Sequence, residues 1–347
     1  MTRLARVDIH PDALSHNLSI ARSRAGRARI MAVIKANAYG HGDLLAARAL
    51  DAADAFAVAT IEEALRLRRG GVTKPLLAFQ GAVSPEDYAR AVAHSLTLVV
   101  YHPRQIDWLA SAPRPWPALW LKVDTGMGRL GLPPDAIPAA LSRLGDACEV
   151  LMSHLACADT PEHPLNRRQL EAFERIARAT GLPASLYNSA GLLSFDLDTD
   201  WARPGIMLYG ASPLKDLTAA DLGLQPAMTL RAPLISVMTH RAGDAIGYGA
   251  AWRCPEAMPV GVVAIGYADG YPRAASGAPV LVNGRRCAIV GRISMDAVSI
   301  DLRACPEARP GDWVTLWGPG LPVDEVASVA DTIAYEPLCH AGSLAMR

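Results

Sequence analysis

Paired cysteines, net charge and long apolar runs are missing from this chain, and each absence removes a class of protein. The six cysteines (Cys148, Cys157, Cys254, Cys287, Cys305, Cys339) are scattered, with no Cys-x-x-Cys pair. That argues against a disulfide framework and against a structural zinc site. The His, Asp and Glu positions show no metal-ligand spacing either, so no metal is expected. Lys and Arg total 34 and Asp and Glu total 34, so no net field would draw the chain to nucleic acid or to an anionic membrane. No stretch reaches the roughly 18–20 uncharged apolar residues needed to cross a bilayer. The opening Met-Thr-Arg-Leu-Ala-Arg-Val-Asp lacks the apolar core of a signal peptide, and the expected location is the cytoplasm, with reduced thiols. No internal repeat or low-complexity tract breaks the chain.

What is present is a large apolar content in an ordered alternation. A chain of 347 residues, 51% hydrophobic and 20% charged, is long enough for two domains with substantial cores. Short apolar runs occur at Arg29–Lys35, Ala55–Thr60, Pro75–Gln80, Thr97–Tyr101, Ala118–Thr125, Cys148–Ala156, Ala184–Ser189 and Trp201–Gly210. Between them lie helix-sized intervals, such as Ile61–Arg69 with its acidic start and basic end, and Leu165–Thr180 closed by Gly181. Eight strands separated by helices predict a (β/α)8 TIM-type barrel over residues 11–225; an open doubly wound sheet is the alternative. From residue 226 to 347 strand-like runs dominate, with Asn283-Gly284 as a two-residue hairpin signal. A mostly-β C-terminal domain is expected there, with the opening strand Leu4–Ile9 joined to it.

The sharpest chemical feature is Val33-Ile34-Lys35-Ala36-Asn37-Ala38-Tyr39-Gly40-His41-Gly42. Lys35 closes the first barrel strand, on the face where this fold builds active sites. Partial desolvation there lowers an amine's pKa and frees it to attack a carbonyl. Taken alone, a strand-end lysine is more often a solvated rim charge. Further motifs follow in order: Leu121-Lys122-Val123-Asp124-Thr125-Gly126-Met127-Gly128-Arg129-Leu130-Gly131 ending strand five, Ser153-His154-Leu155-Ala156 ending strand six, Asn188-Ser189-Ala190 after strand seven, and Arg203-Pro204-Gly205-Ile206 read as part of strand eight. The β domain adds Gly247-Tyr248-Gly249, Gly266-Tyr267-Ala268-Asp269-Gly270 and Gly291-Arg292-Ile293-Ser294-Met295-Asp296. Singly, Arg129 reads as a surface charge, His154 as a satisfied core histidine, Tyr248 as a turn aromatic and Met295 as a core side chain.

Together these segments resemble the alanine racemases, a pyridoxal-phosphate-dependent family of fold type III, over nearly the whole chain. The resemblance implies interconversion of L- and D-alanine by two-base proton transfer on an external aldimine of pyridoxal 5'-phosphate. It implies that Lys35 holds the cofactor and acts on the D side, while Tyr248 from the other subunit of a homodimer acts on the L side. Arg203 would face the pyridine nitrogen, linked through His154 to Tyr248. Tyr39, Ser189 and the amides of Gly205 and Ile206 would hold the phosphate. Arg129 and the backbone of Met295 would position the substrate carboxylate, with Lys122 a candidate for carbamylation. Tyr267, Arg273 and Arg292 would line the entrance. The chemistry needs such residues: the cofactor delocalises carbanion charge, and inversion needs one acid/base group on each face of the planar carbon.

One departure concerns Tyr335-Glu336-Pro337-Leu338-Cys339, after which the family often has a tyrosine where this chain has Ser343. A broad-specificity amino-acid racemase on the same scaffold is therefore a rival. A decarboxylase with the same barrel and cofactor is disfavoured by Arg129, which suits a retained carboxylate, and by the lack of a Gly-rich phosphate loop. A non-catalytic pyridoxal-phosphate-binding protein would not need the β domain, and a pure interaction protein would leave these motifs unexplained.

Overall fold

The computed structural model describes residues 3–345, except residue 197 and the side chains of residues 343 and 345. The reading of Ser343 as a pocket-forming side chain thus falls outside the described ones. Chain order begins with β1 (Arg6–Ile9) and a helix over Pro11–Ala25, then enters eight parallel strands. These are β2 (Arg29–Val33), β3 (Ala55–Val58), β4 (Leu76–Ala78), β5 (Leu96–Val100), β6 (Leu119–Lys122), β7 (Cys148–Met152), β8 (Ala184–Ser185) and β9 (Trp201–Ala202). Each pairs with the next, and β9 returns to β2 through Arg29↔Trp201, so the sheet closes as a barrel. Parallel strands covered on both faces are apolar throughout, and every residue of β3, β4 and β6 is buried.

The two last barrel strands are shorter than their apolar runs. Only Trp201–Ala202 is extended in the eighth run, so Arg203-Pro204-Gly205-Ile206 lies beyond the strand and leads into a 3-10 turn over Ile206–Tyr209. Burial, and not extension, makes that run apolar: Ile206, Met207, Leu208 and Tyr209 are all buried.

A mostly-β domain follows, with β10 (Met228–His240), a small hairpin of β11 (Ala245–Ile246) and β12 (Trp252–Arg253), then β13 (Met258–Val263), β14 (Pro279–Val282), β15 (Arg285–Val290), β16 (Val298–Asp301) and β17 (Trp313–Trp317). The order is β1-β10-β13-β16-β15-β14-β17, and β17 pairs back onto β10, so the antiparallel sheet rolls into a ring that β1 joins from the chain's start. Asn283 and Gly284, at φ 48 and 78, make the tight turn between β14 and β15, the conformation that a two-residue hairpin of this type demands. Among the described residues no helix is long and apolar enough to cross a membrane. Nor is any group of three or more His, Cys, Asp or Glu placed to hold a metal ion.

The closing helix, Tyr335–Ala345, returns from the β domain to the barrel mouth. Gly40 and Gly342 let it dock: a Cβ on Gly40 would stand 2.2 Å from the Leu338 carbonyl oxygen, and one on Gly342 would stand 2.3 Å from the Gly40 Cα. This close approach carries Tyr335 to the site described next.

Candidate active site

The carboxyl ends of the barrel strands enclose a cavity of about 330 Å³. Lys35, Tyr39, Lys122, Arg129, His154, Ser189, Arg203, Gly205 and Ile206, nine residues singled out from sequence motifs, all line it. Sequence reasoning missed Phe79, Gln80, Asn188 and Tyr335 as lining residues. Tyr335 had a signal in the Tyr-Glu-x-x-Cys segment, whereas Phe79 and Gln80 follow β4 with no motif around them.

Lys35 lies two residues beyond the end of β2, and the backbone after it enters an unusual turn. Ala36, Asn37, Ala38 and Tyr39 have φ of 53, 53, 54 and 52, a left-handed run of L residues that costs about 1–2 kcal/mol per residue. Such strain persists where surrounding groups hold it, and here Glu63 does part of that. Its Oε1 accepts from the Ala36 amide at 2.8 Å, and its Oε2 accepts from Ala59 at 2.7 Å while Glu63 completes the capping box with Thr60. Burial lowers the Lys35 pKa, Arg129 lowers it further, and Glu63 opposes them. The acidic start of this helix was read from the sequence, but the capping box with Thr60 and the bond from Glu63 to the turn after Lys35 were not.

Arg129 owes its position to a folded loop. Both oxygens of Asp124 accept from loop amides, Oδ1 from Gly126 and Met127 at 2.8 Å each and Oδ2 from Gly128 at 2.9 Å. Leu132 then returns its amide to Lys122 O at 2.8 Å. Among the described residues Arg129 has no ion-pair partner, so its guanidinium is available to a ligand. Lys122 is 8% exposed; burial, with Arg203 next, lowers its pKa to about 8.

Arg203 is 3% exposed. It donates to Ser153 O at 2.7 Å, Leu186 O at 3.2 Å and the Ser185 hydroxyl. Burial lowers its pKa to about 10, so it stays cationic at neutral pH. His154 is pushed well below the usual histidine value by burial and then by Arg203. Its ring makes no hydrogen bond among the described residues, so the expected link from Arg203 through His154 is not closed within one chain. On the opposite wall, Gly205 donates to Ser189 Oγ at 2.8 Å. A Cβ at Gly205 would meet Tyr39 Oη at 2.5 Å, which is why this position has none. The Ile206 amide opens a 3-10 turn, where no intrahelical acceptor exists.

The lining thus holds Lys35, Lys122, Arg129 and Arg203 with no carboxylate among them. Arg129 lowers the proton affinity of both lysines and Arg203 that of Lys122, and this concentration of positive charge calls for an anion. A ligand with a phosphate at the Tyr39–Ser189–Ile206 wall, an aromatic ring near Arg203 and a carbonyl near Lys35 fits this set. Pyridoxal phosphate has those three features.

Tyr248, Tyr267, Arg273, Arg292 and Met295 do not line this cavity. They are exposed on the β domain, Tyr248 at 70% and Met295 at 53%. The reading of Met295 as a core side chain is therefore corrected. Its carbonyl accepts from Ala268 at 3.0 Å, and its own amide has no partner among the described residues. Gly249 lies under the Arg292 guanidinium, 3.0 Å from where its Cβ would be, so Tyr248 and Arg292 share one exposed patch.

Comparison with known proteins agrees with this geometry. The family description "Alanine racemase, N-terminal domain" matches residues 9–213, and "Alanine racemase, C-terminal domain" matches residues 227–347. A curated alanine racemase of Nitrosococcus oceani is 51% identical over 96% of this chain and 95% of its own length. The crystal structure of a biosynthetic alanine racemase from Pseudomonas aeruginosa superposes with TM-score 0.93 at 44% identity, covering 98% of this chain and 97% of that one. The alanine racemase of Acinetobacter baumannii gives 0.94 at 38% identity, with the same coverage of both chains. The chain belongs to the alanine racemase family of isomerases.

Proposed function

We propose that this protein racemises alanine with pyridoxal 5'-phosphate, in a homodimer whose two sites are each built from both subunits. The observation that carries this reading is the carboxylate-free cavity in which a desolvated Lys35 faces Arg129 and Arg203. The cofactor would be held by Lys35, by Tyr39, Ser189 and the Gly205 and Ile206 amides at its phosphate, and by Arg203 at its ring nitrogen. Bound there, it supplies the electron sink that makes the α-hydrogen of an amino acid removable. An arginine at the ring nitrogen keeps its own proton and, being cationic, would disfavour protonation of that nitrogen, which would limit the sink and suppress side reactions.

This chain's residues do the rest. Arg129 fixes the substrate carboxylate and so fixes which face of Cα meets Lys35 Nζ. Desolvation lowers that amine's proton affinity, which suits it to take or return a proton on the D side. Tyr248 of the partner subunit serves the L side, and its exposure in one chain suits a group that works in a neighbour's cavity. The partner's Met295 amide would add a donor to the carboxylate, and Tyr267, Arg273 and Arg292 would border the entrance. Arg203, through His154, would favour the phenolate of that tyrosine. Lys122, held near 8, can take up CO2 with loss of a proton, and the resulting carbamate anion would orient Arg129. The barrel unit is taken as residues 11–225, and the cytoplasm as the site of action.

Purified protein incubated with each L-amino acid, scored by chiral chromatography, tests the reading. D-alanine should accumulate towards an equal mixture. Comparable turnover of larger amino acids would favour the broad-specificity alternative, and release of CO2 without inversion would contradict racemisation.

A further inference from the structure

His41 lies outside the cavity, on the far side of the left-handed turn. It is 1% exposed, and its Nδ1 stands 3.0 Å from both Ala38 O and Tyr39 O. Both partners are carbonyl oxygens, which only accept, so Nδ1 carries the hydrogen. Nε2 is buried with no partner among the described residues. Burial pushes the imidazole down to about 4, so one neutral tautomer is present at physiological pH. The ring packs against Tyr209 with centroids 4.7 Å apart, and Tyr209 stacks on Tyr39 at 4.6 Å. Tyr209 in turn donates to Val33 O at 2.8 Å, which ties the stack to the strand that leads to Lys35.

We propose that His41 is a positioning residue for phosphate recognition: its Nδ1–H bridges the Ala38 and Tyr39 carbonyls and locks the turn that aims the Tyr39 hydroxyl at the cofactor. The inference rests on the reading of Tyr39 as a phosphate ligand. The Ala38 carbonyl also accepts from the His41 backbone amide at 3.0 Å, whereas the Tyr39 carbonyl has no backbone donor among the described residues, so the ring supplies what the helix ladder of an ordinary turn would. A single donor that reaches both removes the competing right-handed arrangement, in which Tyr39 would leave the Gly205 wall.

Stepwise dialysis of the holoenzyme gives the dissociation constant for pyridoxal phosphate, and reconstitution with pyridoxal isolates the phosphate's share. His41→Phe keeps a ring on Tyr209 but removes the donor, and should weaken pyridoxal phosphate binding roughly tenfold. Its affinity for pyridoxal should hold within about twofold. His41→Asn restores a donor near Nδ1 and should stay within about threefold of the parent for the phosphate ester. In a Tyr39→Phe background, His41→Phe should add less than about twofold, because the hydroxyl it positions is gone. Should the phenylalanine variant not fold, His41→Gln, whose donor sits at the Nε2 position, replaces it with the same expectations. Equal losses for the two ligands, or on the two backgrounds, would mean that His41 merely supports the fold. If Tyr39→Phe alone bound pyridoxal phosphate as tightly as the parent, Tyr39 would not hold the phosphate, and this inference would fall with that reading.

Discussion

The chemistry of the site is set by what surrounds single groups. Lys35 is lowered by burial and next by Arg129, so in cofactor-free protein it should react with acetic anhydride ahead of exposed lysines near pH 7. Replacing Arg129 with Gln removes a nearby positive charge, which raises the Lys35 pKa and moves its labelling curve to higher pH. Mass-spectrometric labelling across pH measures this, and a curve unmoved by Arg129→Gln would contradict the coupling. Asp324 shows the opposite sign. Burial raises its carboxyl from 3.8 to about 6, while Oδ1 accepts from the Ser212 amide at 3.2 Å and Oδ2 is orphaned. Because the folded value is the higher one, its favourable contribution is present below 3.8 and lost as pH rises through about 6. Asp324→Asn should therefore stabilise the protein at about pH 8 by on the order of 1–3 kcal/mol, with the gain fading below about pH 4. Denaturant titration at the two pH values decides it, and an equal effect at both would be the contrary result.

At the scale of elements, the turn after Lys35 and the closing helix form one unit. Gly342 has ordinary backbone angles, so Gly342→Ala tests contact alone: the new methyl would press on Gly40 Cα at 2.3 Å. Overpacking of this kind costs about 1–3 kcal/mol, and the thermal midpoint should fall together with affinity for the cofactor. An alanine variant of unchanged midpoint would mean that the helix does not dock so closely. The sequence showed the barrel strands well, because parallel strands buried on both faces are uninterrupted apolar runs between helices. It overstated β9, since the buried 3-10 turn at Ile206–Tyr209 is as apolar as a strand. The helix end at Gly181 was equally legible, because its chemistry is local. The left-handed run at Ala36–Tyr39 was not: three of its four residues are types that ordinarily avoid positive φ, and what holds them, Glu63 and His41, comes from outside the run.

At the scale of the molecule, one chain brings together only part of the expected site. Nine of the motif residues converge on the cavity, while Tyr248 and Met295 sit exposed on the β domain. Their motifs were visible in the sequence, but the proposed meeting place would need a second copy, and neither local pattern nor a single chain's packing displays that. On the proposed reading, Lys35 and Tyr248 act on the same carbon from different subunits. Lys35→Ala and Tyr248→Phe should each be nearly inactive, since one face loses its acid/base group. The direct measurement is racemase activity of purified heterodimers, each chain separately tagged, carrying Lys35→Ala in one subunit and Tyr248→Phe in the other. One of their two sites then has both bases and the other has neither, so activity should recover to about half that of the parent dimer. Activity no higher than in either variant homodimer would mean that both bases come from one chain.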